Sequence, residues 1–165
     1  MKKYITLTLF KSFDKVNFYA FQFEDDDRTE TEKFFAKFEE DARFNDDLNN
    51  MATWLSIIGR KYSAKKDFFR HEGAASALPP PYSKMIHEVI VNDLRLYCLR
   101  ISDEVVILAN GGIKSSQTVQ DSPDLLPHFR FVNAMSKQID EFMKDGTFKL
   151  DGKNILKLNE IEFTY

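Results

Sequence analysis

The run Val105-Val106-Ile107-Leu108 is apolar at four successive positions, so neither of its faces suits water. Such a run, closed by Gly111-Gly112, reads as a strand buried on both sides and therefore as the centre of a sheet. Residues 94–101 precede it, and Ser102-Asp103 between the two suits a tight hairpin. Alternation along that first strand puts Arg95 and Tyr97 on one face, and Leu96, Cys98 and Arg100 on the other. A second pair is predicted at the start of the chain. Residues 4–10 alternate, with Ile5, Leu7 and Leu9 on one face, and residues 11–15 turn. Residues 16–23 then carry Phe18, Tyr19, Phe21 and Phe23, which makes this strand central as well.

Helices are expected between and after these pairs. The run Glu24-Asp25-Asp26-Asp27 ends the aromatic strand, because four carboxylates cannot be buried in a sheet. It lacks the glycine and the alternating oxygen ligands of a hard-cation loop. Thr29 and Glu32 have capping-box spacing, and Phe34, Phe35, Phe38 and Ala42 give the helix that follows one apolar face. A second helix starts near Asn45, with Asp46 and Asp47 in its first turn. Its stripe is Leu48, Met51, Leu55, Ile58, Tyr62 and Phe69, widened by Trp54 and Ile57. Its last turns then hold Arg60, Lys61, Lys65, Lys66 and Arg70, where cations suit the helix dipole. Residues 73–81, with Pro79-Pro80-Pro81, are predicted as a loop. Ser122-Pro123 signals a third helix whose start Pro127 delays. Phe129, Val132, Met135, Ile139 and Phe142 form its stripe, and Asp145-Gly146 stops it. Residues 148–155 read as a hairpin turning at Asp151-Gly152. The fold class is α+β, a mostly antiparallel sheet packed by a helical hairpin and a C-terminal helix. At 165 residues the whole chain, 1–165, is one domain that buries roughly 70% of its unfolded surface.

Charge is unevenly spread. The net formal charge is −3, yet residues 60–100 carry 8 Lys/Arg against 4 Asp/Glu, while the segments on either side are acidic. Phosphate binding needs clustered cations, so this middle third is the candidate polyanion surface; the alternative is an ordinary solvated basic face. A sequence pI near 5.7 argues against non-specific nucleic-acid binding as the main role. One cysteine, Cys98, fits a reducing cytoplasm. With it, His71, His87 and His128 show no metal-ligand spacing, so neither metal nor cofactor is expected. No apolar run is long enough to span a membrane, and the alternating start is unlike a secretory leader.

The strand pair Leu94-Arg95-Leu96-Tyr97-Cys98-Leu99-Arg100-Ile101 and Val105-Val106-Ile107-Leu108, followed by Gly111-Gly112-Ile113-Lys114, resembles the core of the RelE/ParE toxin superfamily. In that family a helical hairpin precedes an Arg-bearing strand, the next strand is apolar, and a Lys often follows. The resemblance covers about residues 17–144 and leaves an N-terminal strand and a C-terminal hairpin as additions. It implies a small RelE-like sheet backed by two helices, with an antitoxin protein as partner and RNA or the ribosome as target. Many members cleave messenger RNA, and a related branch acts on gyrase without cleaving anything.

Cleavage by the ribose 2′-oxygen builds charge on the phosphoryl oxygens and on the departing 5′-oxygen. A site therefore needs cations and a proton carrier. On this resemblance His71, Arg95, Tyr97 and Arg100 are the candidate catalytic residues, with His71 moving a proton and Tyr97 stacking on a base. Arg70, Lys114, Lys65 and Lys66 are the candidate substrate-binding residues. Plainer readings accompany each. Tyr97 suits a core aromatic, His71 a surface residue at a helix end, and Arg95 and Arg100 lie on opposite strand faces. Two other functions remain open at this point. One is a non-catalytic protein-interaction module on the same scaffold; the other is a small-molecule binder built on 16 Phe, 6 Tyr and 1 Trp.

Overall fold

A computed structural model describes residues 1–83, 88–89 and 92–165. The opening strands form as read. β1 (Tyr4–Ser12) and β2 (Asn17–Phe23) pair antiparallel, with Ile5 opposite Phe23 and Leu7 opposite Phe21. Leu9 pairs with Tyr19 in the same register and so shares the face of Ile5 and Leu7, as expected, though it is 47% exposed; the register shifts only beyond it, between Leu9 and Lys11. Helix α1 (Glu30–Glu39) begins at the expected capping box: Thr29 Oγ1 accepts from the Glu32 N–H at 3.1 Å, and Glu32 Oε1 accepts from the Thr29 N–H at 3.3 Å. Helix α2 (Asn45–Ile57) buries Leu48, Met51, Trp54 and Leu55.

Two expectations fail beyond that point. The second helix does not run on to Arg70. It widens into a π-turn over Ile58–Tyr62 and stops at Ser63, whose φ is +70°. Gly59 sits in this turn because the Phe13 ring occupies the space of its missing side chain; a Cβ there would lie 2.2 Å from that ring. Phe69 is buried all the same, but from extended chain after a short 3-10 turn over Lys66–Phe68, so its spacing mimicked a helical stripe. The second failure is the expected loop. β3 (Arg70–Glu72) and β4 (Ala75–Leu78) are a hairpin, and all four residues of β4 are buried. Ala-Ser-Ala carries no large apolar side chain and hence no strand signature, yet small residues are what lets a helix approach closely here.

Two short strands, β5 (Tyr82–Ser83) and β6 (Glu88–Val89), pair with each other. β7 (Leu94–Arg100) and β8 (Val105–Ile113) make the expected hairpin, and helix α3 (Leu126–Asp145) runs from a first turn containing Pro127 to a left-handed Gly146 at φ +85°. The tail holds β9 (Leu150–Asp151) and β10 (Asn154–Ile155) around Gly152, as expected, and an unforeseen β11 (Phe163–Thr164).

The main sheet has seven strands in the order β11-β1-β2-β8-β7-β4-β3. It is mostly antiparallel; β2 and β8 run parallel, with Asn17 beside Val105. The class is α+β, with three α-helices among the described residues. β8 sits in the middle of the order, as its apolar run requires. Helix α3 covers one face over Phe21, Tyr97, Leu99 and Ile107, and α1 and α2 cover the other over Phe18, Leu96, Cys98 and Leu108. Each fully buried side chain of this size contributes roughly 1.5–3 kcal/mol.

β8 continues past Asn110, where Gly111-Gly112 was expected to end it. Leu96 faces Gly111 while Cys98 faces Leu108, so β8 carries one extra residue as a bulge. The groups this leaves off the ladder find partners: the Ala109 carbonyl accepts from Thr31 Oγ1 at 2.8 Å, and the Gly111 N–H donates to Asn110 Oδ1 at 2.7 Å. A Cβ on Gly111 would lie 1.8 Å from the Arg95 carbonyl oxygen, and one on Gly112 would lie 2.1 Å from Asp124 Oδ2. The two glycines therefore permit close approach and do not mark a turn. No described helix is long and apolar enough to cross a membrane.

Candidate functional site

The candidate residues gather at the β7-β4-β3 end of the sheet, where register decides their sides. Arg70 lies opposite Ala77, which lies opposite Tyr97, while His71 lies opposite Ser76, which lies opposite Cys98. Arg70, Glu72, Arg95 and Tyr97 thus share the face covered by α3, and His71 and Arg100 share the other. The structure does not bring the four proposed catalytic residues into one constellation.

On the α3 face the Tyr97 side chain is fully buried, with its ring 5.9 Å from that of Phe129. It offers no face to a base. Its hydroxyl instead donates to Glu72 Oε2 at 3.0 Å, and burial together with the Glu72 charge pushes the phenol far above its ordinary range. Tyr97 therefore carries no proton to or from a substrate near neutral pH, and it occupies one oxygen of Glu72. Arg95 donates through Nη1 to the carbonyls of Asn92 at 2.5 Å and Leu94 at 3.0 Å. Burial, and then the like charge of Arg70, lower the affinity of its guanidinium for its proton, and Glu72 opposes this. The Nε atoms of Arg70 and Arg95 are both buried and have no hydrogen-bond partner among the described residues. Two buried donors of like charge on one face are costly unless an acceptor joins them.

Arg95 also lines a cleft of about 510 Å³ with Lys114, Ser115 and Ser116. Lys114 is fixed at its mouth: its N–H donates to the Asp93 carbonyl at 2.8 Å and its Nζ to the Gln117 carbonyl at 3.0 Å. Arg70, Arg95 and Lys114 form the cationic side of this face.

On the opposite face, His71, Lys66, Ser76 and Arg100 line a second cleft of about 350 Å³. The imidazole is held at both nitrogens, Nε2 lying 2.9 Å from the Lys66 carbonyl and Nδ1 3.4 Å from Ser76 Oγ. Since a carbonyl only accepts, Nε2 carries the proton and Nδ1 accepts from the serine. Arg100 donates from Nε to the Ala64 carbonyl at 2.6 Å and from Nη2 to Asp103, so part of its role is to tie the loop after α2 to the sheet. Lys65 and Lys66 are exposed on that same loop, not on a helix C-terminus.

Glu72, Ser76 and the unpartnered Nε atoms were not anticipated as parts of the site. Alternation of Arg70 and Glu72 about His71 was the available signal, hidden by reading these residues as the end of a helix. Among the described residues no group of three or more His, Cys, Asp and Glu side chains can hold a metal ion; His87 lies outside the described residues. Comparison of the chain with protein-family models, with curated proteins and with solved structures finds no match.

Proposed function

We propose that the chain is a toxin-like protein of the RelE/ParE type that holds RNA by its phosphates at the β7-β4-β3 end of the sheet, with an antitoxin protein as its partner. The observation that carries this reading is the pair of buried guanidinium Nε donors, Arg70 and Arg95, that have no acceptor among the described residues on one face. A phosphodiester supplies a single negative charge and oxygens that accept from both. Glu72 on the same face accepts from the Tyr97 hydroxyl through Oε2. Lys114 adds charge at the mouth of the adjoining cleft. The order of elements supports the same reading: the helices α1 and α2 come before the Arg95-bearing β7, then the apolar β8, then Lys114.

A second reading, a non-catalytic module on this scaffold, is favoured by one observation. His71, the proposed proton carrier, lies on the opposite face from Arg95. One experiment separates these readings. Wild type and Arg95→Ala are induced in bacteria at matched soluble levels, growth is followed, and RNA ends are mapped. The proposal expects arrest by wild type alone. New RNA ends accompanying that arrest mark a nuclease, and arrest without them marks the non-catalytic form. Normal growth of both overturns the toxin reading.

A further inference from the structure

The second cleft, on the face of the sheet away from Arg70 and Arg95, holds an arrangement that RNA binding does not use. β4 buries Ala75 and Ala77 towards α3 and turns Ser76 to the other face, where it is only 6% exposed. A buried hydroxyl is costly without a partner, and this one is met by an imidazole. His71 lies directly across the β3-β4 hairpin, with its Nδ1 3.4 Å from Ser76 Oγ. The ring is oriented from its other side by the Lys66 carbonyl, 2.9 Å from Nε2. That carbonyl is itself fixed, because it also closes the 3-10 turn by accepting from the Phe69 N–H at 3.2 Å. A hydroxyl, a base that accepts its proton and a third group that orients the base make up an activated nucleophile. The Oγ to Nδ1 contact is long for a hydrogen bond, and such contacts tighten when a substrate fills the site.

The arrangement is open to a small molecule. Ser76 and His71 line the cleft of about 350 Å³, which is at the lower end of the size range of ligand pockets. The hairpin turn leaves it uncovered, since a Cβ on Gly73 would meet nothing within 4 Å. Lys66 and Arg100 line it as well, so charge developing on a carbonyl oxygen there meets cations, as does any anionic group of the substrate.

We infer that Ser76 and His71 are the nucleophile and general base of a site that hydrolyses small esters carrying a negative charge. Ser76 Oγ attacks the acyl carbon while its proton passes to His71 Nδ1. As the tetrahedral adduct collapses, the bond to the leaving oxygen breaks, that oxygen takes the proton from Nδ1, and the alcohol departs. Water then attacks the acyl group on Ser76 and gives a proton to Nδ1. The same proton returns to Ser76 Oγ as the carboxylic acid is released. A backbone carbonyl is neutral and stabilises the imidazolium less than a carboxylate does, so turnover is expected to be slow.

The test treats the folded full-length protein with an alkyl fluorophosphonate, which phosphorylates an activated serine as fluoride leaves, and locates the adduct by peptide mass spectrometry. Hydrolysis of p-nitrophenyl acetate and of the anionic p-nitrophenyl hemisuccinate is measured in wild type, Ser76→Ala, His71→Ala and Lys66→Gln, with unfolding midpoints to check each fold. The adduct is expected on Ser76, and Ser76→Ala should lose it together with the hydrolysis. His71→Ala should slow labelling and hydrolysis by about a hundredfold or more. The anionic ester should be preferred, and Lys66→Gln should narrow that preference. The wild-type adduct needs no variant to be read, so its absence from Ser76 overturns the site. Labelling that is equally fast in His71→Ala, or hydrolysis undiminished in Ser76→Ala, overturns it too. Equal rates with both esters overturn the assigned substrate class.

Discussion

The two ends of the sheet are finished in opposite ways. At the β11-β1-β2 end, aromatic rings close the structure: Phe21 meets Phe131 at 5.4 Å and Phe163 at 5.7 Å, and Phe131 meets Tyr165 at 5.2 Å. Polar groups there are paired as well. Lys3 and Tyr165 exchange both backbone hydrogen bonds at 2.9 Å, and the Gln138 side chain bonds the Thr164 backbone at 2.7 and 3.0 Å. At the β4-β3 end the sheet tapers into Ala75, Ser76 and Ala77, and the large side chains beside them are charged. Two buried donors there have no described acceptor. One end is built to hold the fold together. The other keeps unspent hydrogen-bonding capacity, which is what a site for an external anion requires.

The contrast is broken most forcefully at the aromatic end. Phe21→Ala removes a ring that touches two others in a fully buried position, and is expected to cost about 3–5 kcal/mol. Thermal unfolding should drop by roughly 6–20 °C for a chain of this size, with RNA affinity unchanged while the protein stays folded. Arg70→Met is the counterpart at the cationic end. It removes a half-buried charge that repels Arg95, so stability should stay within about 1 kcal/mol of wild type or rise. RNA affinity should nonetheless fall about tenfold. A large loss of stability in Arg70→Met would show that this end is structural too.

The smallest effect lies between the two ends, where α1 meets the start of α3. Burial lowers the proton affinity of His128, and the neighbouring Glu30 opposes this only in part. A histidine depressed in the folded state binds its proton more readily when unfolded. Stability is therefore complete above the ordinary value of 6.5 and is lost as the pH falls below it. Urea midpoints measured from pH 7.5 downward should decline below about 6.5, and His128→Gln should flatten that decline. An unchanged pH profile in the variant would move the acid sensitivity elsewhere. Asp124, whose burial is outweighed by the Lys37 ammonium and the Ile113 N–H, is held below its ordinary value, so its stabilisation is complete above 3.8 and is lost only as the pH falls below that, beneath the histidine's window.

What could be read from the sequence was what short-range chemistry dictates. The apolar runs of β2 and β8, the Thr29/Glu32 capping box, Gly146 and the Asp151-Gly152 turn each carry their cause within a few residues. The parallel pairing of β2 with β8 and the docking of β11 on β1 depend on contacts distant in sequence, and no local pattern announces them. β4 was hidden for a different reason: its alanines become strand only by lying between β7 and β3, beneath α3. At the site, alternation placed Arg95 with Tyr97 and opposed them to Arg100 correctly. It failed for His71, because Phe69 fell at helical spacing and carried the reading of a helix through Arg70 into what is a strand. Burial of Tyr97, which turns a candidate stacking ring into the partner of Glu72, also required the packed structure.

The unpartnered arginine nitrogens can be observed directly. The Nε–Hε resonances of labelled protein are assigned by NMR through Arg70→Lys and Arg95→Lys, then followed as single-stranded RNA is added. The Arg70 and Arg95 signals should move strongly, as donors that gain a charged acceptor do, while the signal of Arg100, already committed to the Ala64 carbonyl, moves little. If saturating RNA leaves both unmoved, the basic end of the sheet is not an anion site and the account fails.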